Sequence, residues 1–220
     1  MNKPKAIIFD MDGLMIDSER VTFESYVKVL KEEGRNFDLE FYKKLLGKTK
    51  QNIFQIFRDQ YGQDFPIDEI YKRVHVCNNQ EYDENGVPVK PGLIQLLQKL
   101  KEEQIPAVIA TSSNRHRVID ILKRTGMEDY FEDMVCGDDI VHGKPDPEIF
   151  LSAAKKAGQN PEDCLVLEDS ESGIMASKNA NIPVICVVDL KYQKNHSVLI
   201  LKKSSAVLMK SAQNSSKLTG

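Results

Sequence analysis

Asp10 and Asp12 stand one residue apart where a short apolar run ends, in KAIIFDMDGLMIDSE (residues 5–19), and Gly13 follows them. Two carboxylates this close repel each other unless a cation lies nearby or one of them holds a proton. Other apolar runs also end in polar groups. AVIAT (107–111) leads into Thr111-Ser112-Ser113-Asn114, and CLVLED (164–169) closes on Glu168-Asp169, with Lys144 between them in GKPDPEIF (143–150). Mg²⁺ suits such a set, because it favours one or two carboxylates, several waters and phosphate oxygens over a full protein cage. Lys144 adds a fixed positive charge, and the Thr111 hydroxyl with the amides that follow it suits phosphate oxygens. One carboxylate of the group is then available as a nucleophile toward phosphorus.

The blander readings are weaker. A calcium loop counted from Asp10 has Leu14 at its fifth position and glycine at its fourth instead of its sixth, so it is excluded. Either aspartate could cap a helix, as could the Thr-Ser-Ser stretch. All of these stretches in this order, each at the end of an apolar strand, point to one phosphate-and-metal site.

The elements that must hold them are short and regular. After the first strand, Phe23, Tyr26, Val27 and Leu30 make a helical stripe, with Ser18 as its cap and Gly34 as its stop. Ile53, Ile56, Phe57 and Tyr61 repeat the pattern, as do Ile67, Ile70 and Val74. Asn85-Gly86, Pro88, Pro91 and Gly92 then punctuate a connector before a helix carrying Leu93, Leu96, Leu97 and Leu100. Beyond it the runs 107–111, 133–137, 164–169 and 184–188 read as strands, alternating with helices at 114–125, 147–157 and 171–180. That alternation predicts an α/β fold with a doubly wound, mostly parallel sheet. Residues 1–16 and 87–220 form the expected core, and 17–86 an inserted all-α unit. In such a sheet ligands bind beyond the carboxyl ends of the strands, which would bring the polar stretches to one edge.

Composition agrees with a soluble globular chain: 41% of the 220 residues are hydrophobic and 29% charged. A net charge of −3 gives no reason to expect nucleic acid as a partner. Residues 190–220 carry +6 and the rest −9; the basic segment reads as a solvated helix face and tail, with a polyanion-binding tail as the alternative. AVLM (206–209) is the only strand expected there. The longest apolar runs are around five residues, far short of the ~20 that span a bilayer, so no membrane association and a cytoplasmic location are expected. No large apolar stripe demands a partner, and a monomer is expected. Cys77, Cys136, Cys164 and Cys186 are far apart and read as small core residues.

FDMDG (9–13), TSS (111–113), GKPDPEIF and LVLEDSESGI (165–174) together resemble the haloacid dehalogenase (HAD) superfamily phosphatases of the β-phosphoglucomutase-like branch, whose helical cap follows the first strand. The resemblance covers nearly the whole chain to about Val188. It implies that Asp10 attacks phosphorus and forms an aspartyl-phosphate, and that Asp12 is the acid and then the base. Thr111, with the Ser112 backbone, would hold phosphoryl oxygens, and Lys144 would offset charge. Mg²⁺ would be bound by Asp10, the Asp12 carbonyl and Asp169, with Glu168 in or next to the shell. It also implies that Asp12 titrates nearer working pH than Asp10. Ser113 and Asn114 join the phosphate-binding set, and Lys48 and Lys50 are candidates to meet an anionic substrate from the cap. The substrate would be a small phosphorylated metabolite of carbohydrate metabolism or a nucleoside monophosphate. Mutases of this branch carry a His, a Lys and an Arg where Thr22, Leu46 and Lys50 stand here, which favours hydrolysis over a hexose-phosphate mutase. An idle ligand-binding domain is the alternative outside enzymes, and retention of Asp10, Asp12, Lys144 and Asp169 together argues against it.

Overall fold

The computed structural model describes residues 3–187 together with 197–202 and 205–210. Strand β1 (Ala6–Phe9) is followed by four helices, α1 (Ser18–Glu32), α2 (Leu39–Lys43), α3 (Lys50–Tyr61) and α4 (Ile67–Asn85). The chain continues through α5 (Leu93–Glu102), β2 (Ala107–Ala110), α6 (Arg115–Thr125), β3 (Asp133–Val135) and α7 (Glu148–Lys156). It then runs through β4 (Cys164–Glu168), α8 (Glu171–Asn179), β5 (Val184–Val187), β6 (Ser197–Lys202) and β7 (Ser205–Lys210). Among the described residues no helix is long and apolar enough to cross a membrane.

The strands lie in the order β3-β2-β1-β4-β5-β6-β7. The first five are parallel, and β6 and β7 continue the sheet antiparallel. Both faces of β1 are covered, so alternate residues enter different cores. Ile7 and Phe9 pack with Leu97 of α5 and Val118 of α6. Ala6 and Ile8 pack with Phe150 of α7 and Ala176 of α8. The chain leaves β1, builds β2 and β3 on one side, then crosses to β4 on the other. The switch point therefore falls at the carboxyl end of β1, where open α/β sheets leave a crevice.

The helices α1–α4 have their own aromatic core. Phe57 is fully buried, and its ring centroid lies 5.4–6.0 Å from those of Tyr26, Phe37, Phe41 and Phe65. Two connections join these helices to the sheet, side by side. Ile16 bridges Val89, the Asp17 amide donates to the Pro88 carbonyl at 2.8 Å, and that of Lys90 to the Met15 carbonyl at 2.9 Å.

Several expectations need correction. Asp17, not Ser18, is the residue before α1, and its carboxylate is turned to Arg20 and Lys90 instead of capping the helix. The stripe on α3 centres on Phe54 and Phe57, while Ile53 and Ile56 are only partly covered. AVLM is not alone in its segment, since β6 precedes it as a second strand. Val188 and the end of the basic tail from residue 211 lie outside the described residues.

Candidate active site

Asp10 follows β1 directly, and its backbone amide still reaches the Leu167 carbonyl of β4 at 3.1 Å. Its side chain is therefore fixed at the switch point. Thr111 follows β2 in the same way, donating from its amide to the Val135 carbonyl at 3.0 Å. Glu168 is the last residue of β4, with Asp169 next. Lys144 reaches this edge from the loop before α7, with its ammonium 4.9 Å from the centre of the Phe150 ring. Sequence positions 10, 111, 144, 168 and 169 thus meet at one sheet edge.

Charge is concentrated there and shielded from water. The Lys144 ammonium donates to Asp10 Oδ1 at 2.5 Å and to Glu168 Oε1 at 2.7 Å. The three side chains are 5%, 9% and 1% exposed, so a single cation faces two carboxylates out of solvent. Burial pushes Asp10 up to about 7, against the pull of Lys144 and with Glu168 and Asp12 adding to the rise. Burial would lower Lys144, but the carboxylates of Asp10 and Glu168 outweigh it and hold the ammonium charged.

Asp12 has a different environment. Its Oδ1 accepts from Arg117 at 2.6 Å and its Oδ2 from the Ser113 hydroxyl at 2.7 Å. Burial alone would raise its carboxyl; Arg117, Ser113 and Ser18 overcome that and hold it below the usual range. Of the two aspartates, Asp10 thus has the higher proton affinity where only the protein's own groups surround it. Burial raises Asp10, whereas Asp12 is lowered chiefly by Arg117, a residue that no pattern in the sequence marks out.

Oxygens of Asp10, Glu168 and Asp169 lie within 4.8 Å of one another, so these three carboxylates can share one ion. Gly13 makes room for them. It has φ +83°, and a Cβ there would fall 2.2 Å from Asp169 Oδ2. The donor set is all oxygen, as Mg²⁺ requires. Gly13→Ala should lose about 1–2 kcal/mol from backbone strain alone and displace the Asp169 carboxylate. Urea unfolding with and without Mg²⁺ should show both a lower midpoint and a smaller increment from the metal.

The other expected site residues are placed less uniformly. The Thr111 hydroxyl is buried and accepts from the Ser113 amide at 3.2 Å. The Ser112 side chain is exposed, and its carbonyl lies where a Cβ on Gly137 would meet it at 2.3 Å. The Asn114 carboxamide caps α6, accepting from the Arg117 amide at 2.9 Å. Lys48 is exposed in the turn before α3. The Lys50 ammonium lies 5.2 Å from the ring centres of both Phe54 and Tyr71. His75 packs edge-on against Tyr71 at 4.5 Å, and burial followed by the charges of Arg117 and Lys50 lowers its imidazole.

The chain matches the family model of the haloacid dehalogenase-like hydrolases over residues 7–187. It is 31% identical over 206 residues to the phosphorylated carbohydrates phosphatase of Thermotoga maritima, with 94% of each chain covered. It is 30% identical over 184 residues to the beta-phosphoglucomutase of Bacillus subtilis, across 81% of this chain and 80% of that one. The crystal structure of CbbY from Rhodobacter sphaeroides in complex with phosphate superposes with a TM-score of 0.72 at 25% identity, covering 87% of this chain and 89% of that one. With that match spanning both the parallel sheet and the inserted helices, the chain belongs to the haloacid dehalogenase-like hydrolases.

Proposed function

We propose that the protein is a Mg²⁺-dependent phosphatase of small phosphorylated metabolites, sugar or nucleoside monophosphates, working through an aspartyl-phosphate on Asp10. The observation that carries this reading is the buried group of Asp10, Lys144 and Glu168 with Asp169 beside it. Asp10 Oδ attacks phosphorus in line. The bond from phosphorus to the ester oxygen breaks, and that oxygen takes a proton from Asp12. A water then attacks the phosphorus, Asp12 takes its proton, the bond to Asp10 breaks, and inorganic phosphate leaves. Lys144 holds Asp10 in place and offsets charge on the phosphoryl oxygens, while the Thr111 hydroxyl and the Ser112 amide orient them.

Asp10, Asp169 and the Asp12 carbonyl would hold Mg²⁺, with Glu168 adjoining. When bound, the ion supplies charge neutralisation for the carboxylates and the transferring phosphoryl group. Residues 17–86 would close over the edge and exclude water, and Lys48 and Lys50 would meet the anionic end of the substrate.

Hydrolysis is favoured over phosphoryl relay within the sugar. Thr22 stands at the histidine position of the mutases, and its hydroxyl accepts from Asn78 Nδ2 at 3.1 Å. A hydroxyl so placed cannot do the work of an imidazole. Phosphate release from a panel of sugar phosphates, nucleotides and glycerol phosphates should identify substrates, all of them Mg²⁺-dependent. β-Glucose 1-phosphate with a bisphosphate primer should give free sugar, and the 6-phosphate as product would overturn this reading in favour of a mutase.

A further inference from the structure

We propose that Arg117 is the positioning residue for Asp12, fixing the carboxyl group that delivers a proton to the leaving oxygen. The inference rests on the phosphatase reading above. It starts from how Arg117 is held. Asn114 caps α6 through the Arg117 amide at 2.9 Å, and the next residue, Val118, is fully buried in the sheet core. The first turn of α6 is thereby locked at both ends of the segment that bears the arginine, and its guanidinium is directed over the carboxyl edge of the sheet.

From there Arg117 Nη2 donates to Asp12 Oδ1 at 2.6 Å while Ser113 Oγ donates to Oδ2 at 2.7 Å. Ser113 is itself fixed by its amide bond to the Thr111 hydroxyl at 3.2 Å. The Asp12 carboxyl is thus gripped on both oxygens by residues 113 and 117 of one turn. On its far side the guanidinium interacts with Tyr82, at the end of α4. The Tyr82 hydroxyl is buried and completes no hydrogen bond of good geometry. Arg117 therefore stands between Asp12 and the inserted helices, half-buried, with its charge committed.

A carboxyl held by the Ser113 and Ser18 hydroxyls without Arg117 would keep more freedom about its side-chain torsions. A charge-assisted contact to a planar guanidinium removes that freedom. Held at both oxygens, the carboxyl keeps the orientation from which it can reach the departing oxygen. The value of the Arg117 contact should then depend on how much the departing oxygen needs a proton.

Two esters of similar size separate this role from a structural one. p-Nitrophenyl phosphate releases a good leaving group, and phenyl phosphate releases a poor one that needs the proton. The value of kcat/KM reports the step in which that group departs. Positioned acid catalysis contributes about 10²–10⁴-fold, and loss of the one charged holding contact should remove part of it. Arg117→Met is expected to lower kcat/KM on the order of tenfold more for phenyl phosphate than for p-nitrophenyl phosphate. Arg117→Lys, which keeps the charge and one donor, should recover part of the difference and covers the case in which the methionine variant does not fold. An equal fall on both esters in both variants, or no fall on either, overturns the inference while leaving the phosphatase reading intact. Absence of wild-type turnover on both esters overturns that reading and the inference with it.

Discussion

Asp10→Asn is expected to abolish phosphate release and, without metal at pH 8, to give a fold more stable than that of the parent protein. The loss of activity follows from chemistry, because a carboxamide has no anionic oxygen to attack phosphorus; the fall should be on the order of 10⁴-fold or more. The gain in stability follows from charge. Lys144 faces Asp10 and Glu168 together, so the buried group carries one excess negative charge. Burial pushes Asp10 up to about 7, whereas in the unfolded chain it titrates near the ordinary value of about 3.9. Between those limits the folded, metal-free protein holds a proton that the unfolded chain releases, so stability falls as pH rises from about 4 to about 7. Asparagine carries no such penalty and leaves Lys144 paired one-to-one with Glu168. The benefit is on the order of 2–4 kcal/mol at pH 8. Urea unfolding in EDTA at pH 5, 6.5 and 8 checks it. The variant's advantage should grow with pH, and Mg²⁺ should shrink it by stabilising the parent selectively. A parent protein as stable as the variant at pH 8 without metal would show that the carboxylates are not in conflict.

What the sequence made legible was the part of the fold written in short-range patterns. The apolar runs of β1, β2 and β4 end in polar residues, and a parallel sheet brings such ends together regardless of their separation in the chain. The stripe expected on α1 packs into the helical core, whereas that on α3 is centred a residue away, on Phe54 and Phe57, because this helix meets an aromatic core on more than one side and buries a wider arc than a simple stripe suggests. Segment β6 was passed over because its apolar run sits among lysines and polar residues. Arg117 is the instructive omission. In NRHR (114–117) it looks equivalent to Arg115, but residues two apart on a helix do not share a face. Arg115 turns to Asp139 at 2.5 Å and Arg117 to Asp12 at 2.6 Å. That second pairing also lowers the proton affinity of Asp12, a three-dimensional fact that spacing along the chain does not encode.

Lys144→Met is expected to be the more damaging change for stability, and to inactivate the enzyme at any Mg²⁺ concentration. Methionine can occupy much of the lysine's space, so the cost is electrostatic. Asp10 and Glu168 would be left with no ammonium at 2.5 and 2.7 Å, and breaking a buried ion pair by removing one partner costs about 3–5 kcal/mol. The contact to the Phe150 ring would add about 0.5–2 kcal/mol to the loss. The pH dependence has a definite sign. Without the ammonium the proton affinity of Asp10 rises further, so the folded variant binds more protons than its unfolded chain, and acid should partly restore what neutrality removes. Adding Glu168→Gln to Lys144→Met should recover part of the stability at pH 8 by halving the unpaired charge, without restoring turnover. Thermal and urea midpoints of the three proteins at pH 5 and 8 provide the check. If Lys144→Met costs under about 1 kcal/mol, or costs the same at both pH values, then Lys144 is not the cation that makes it possible to bury two acidic side chains at the end of the central strands.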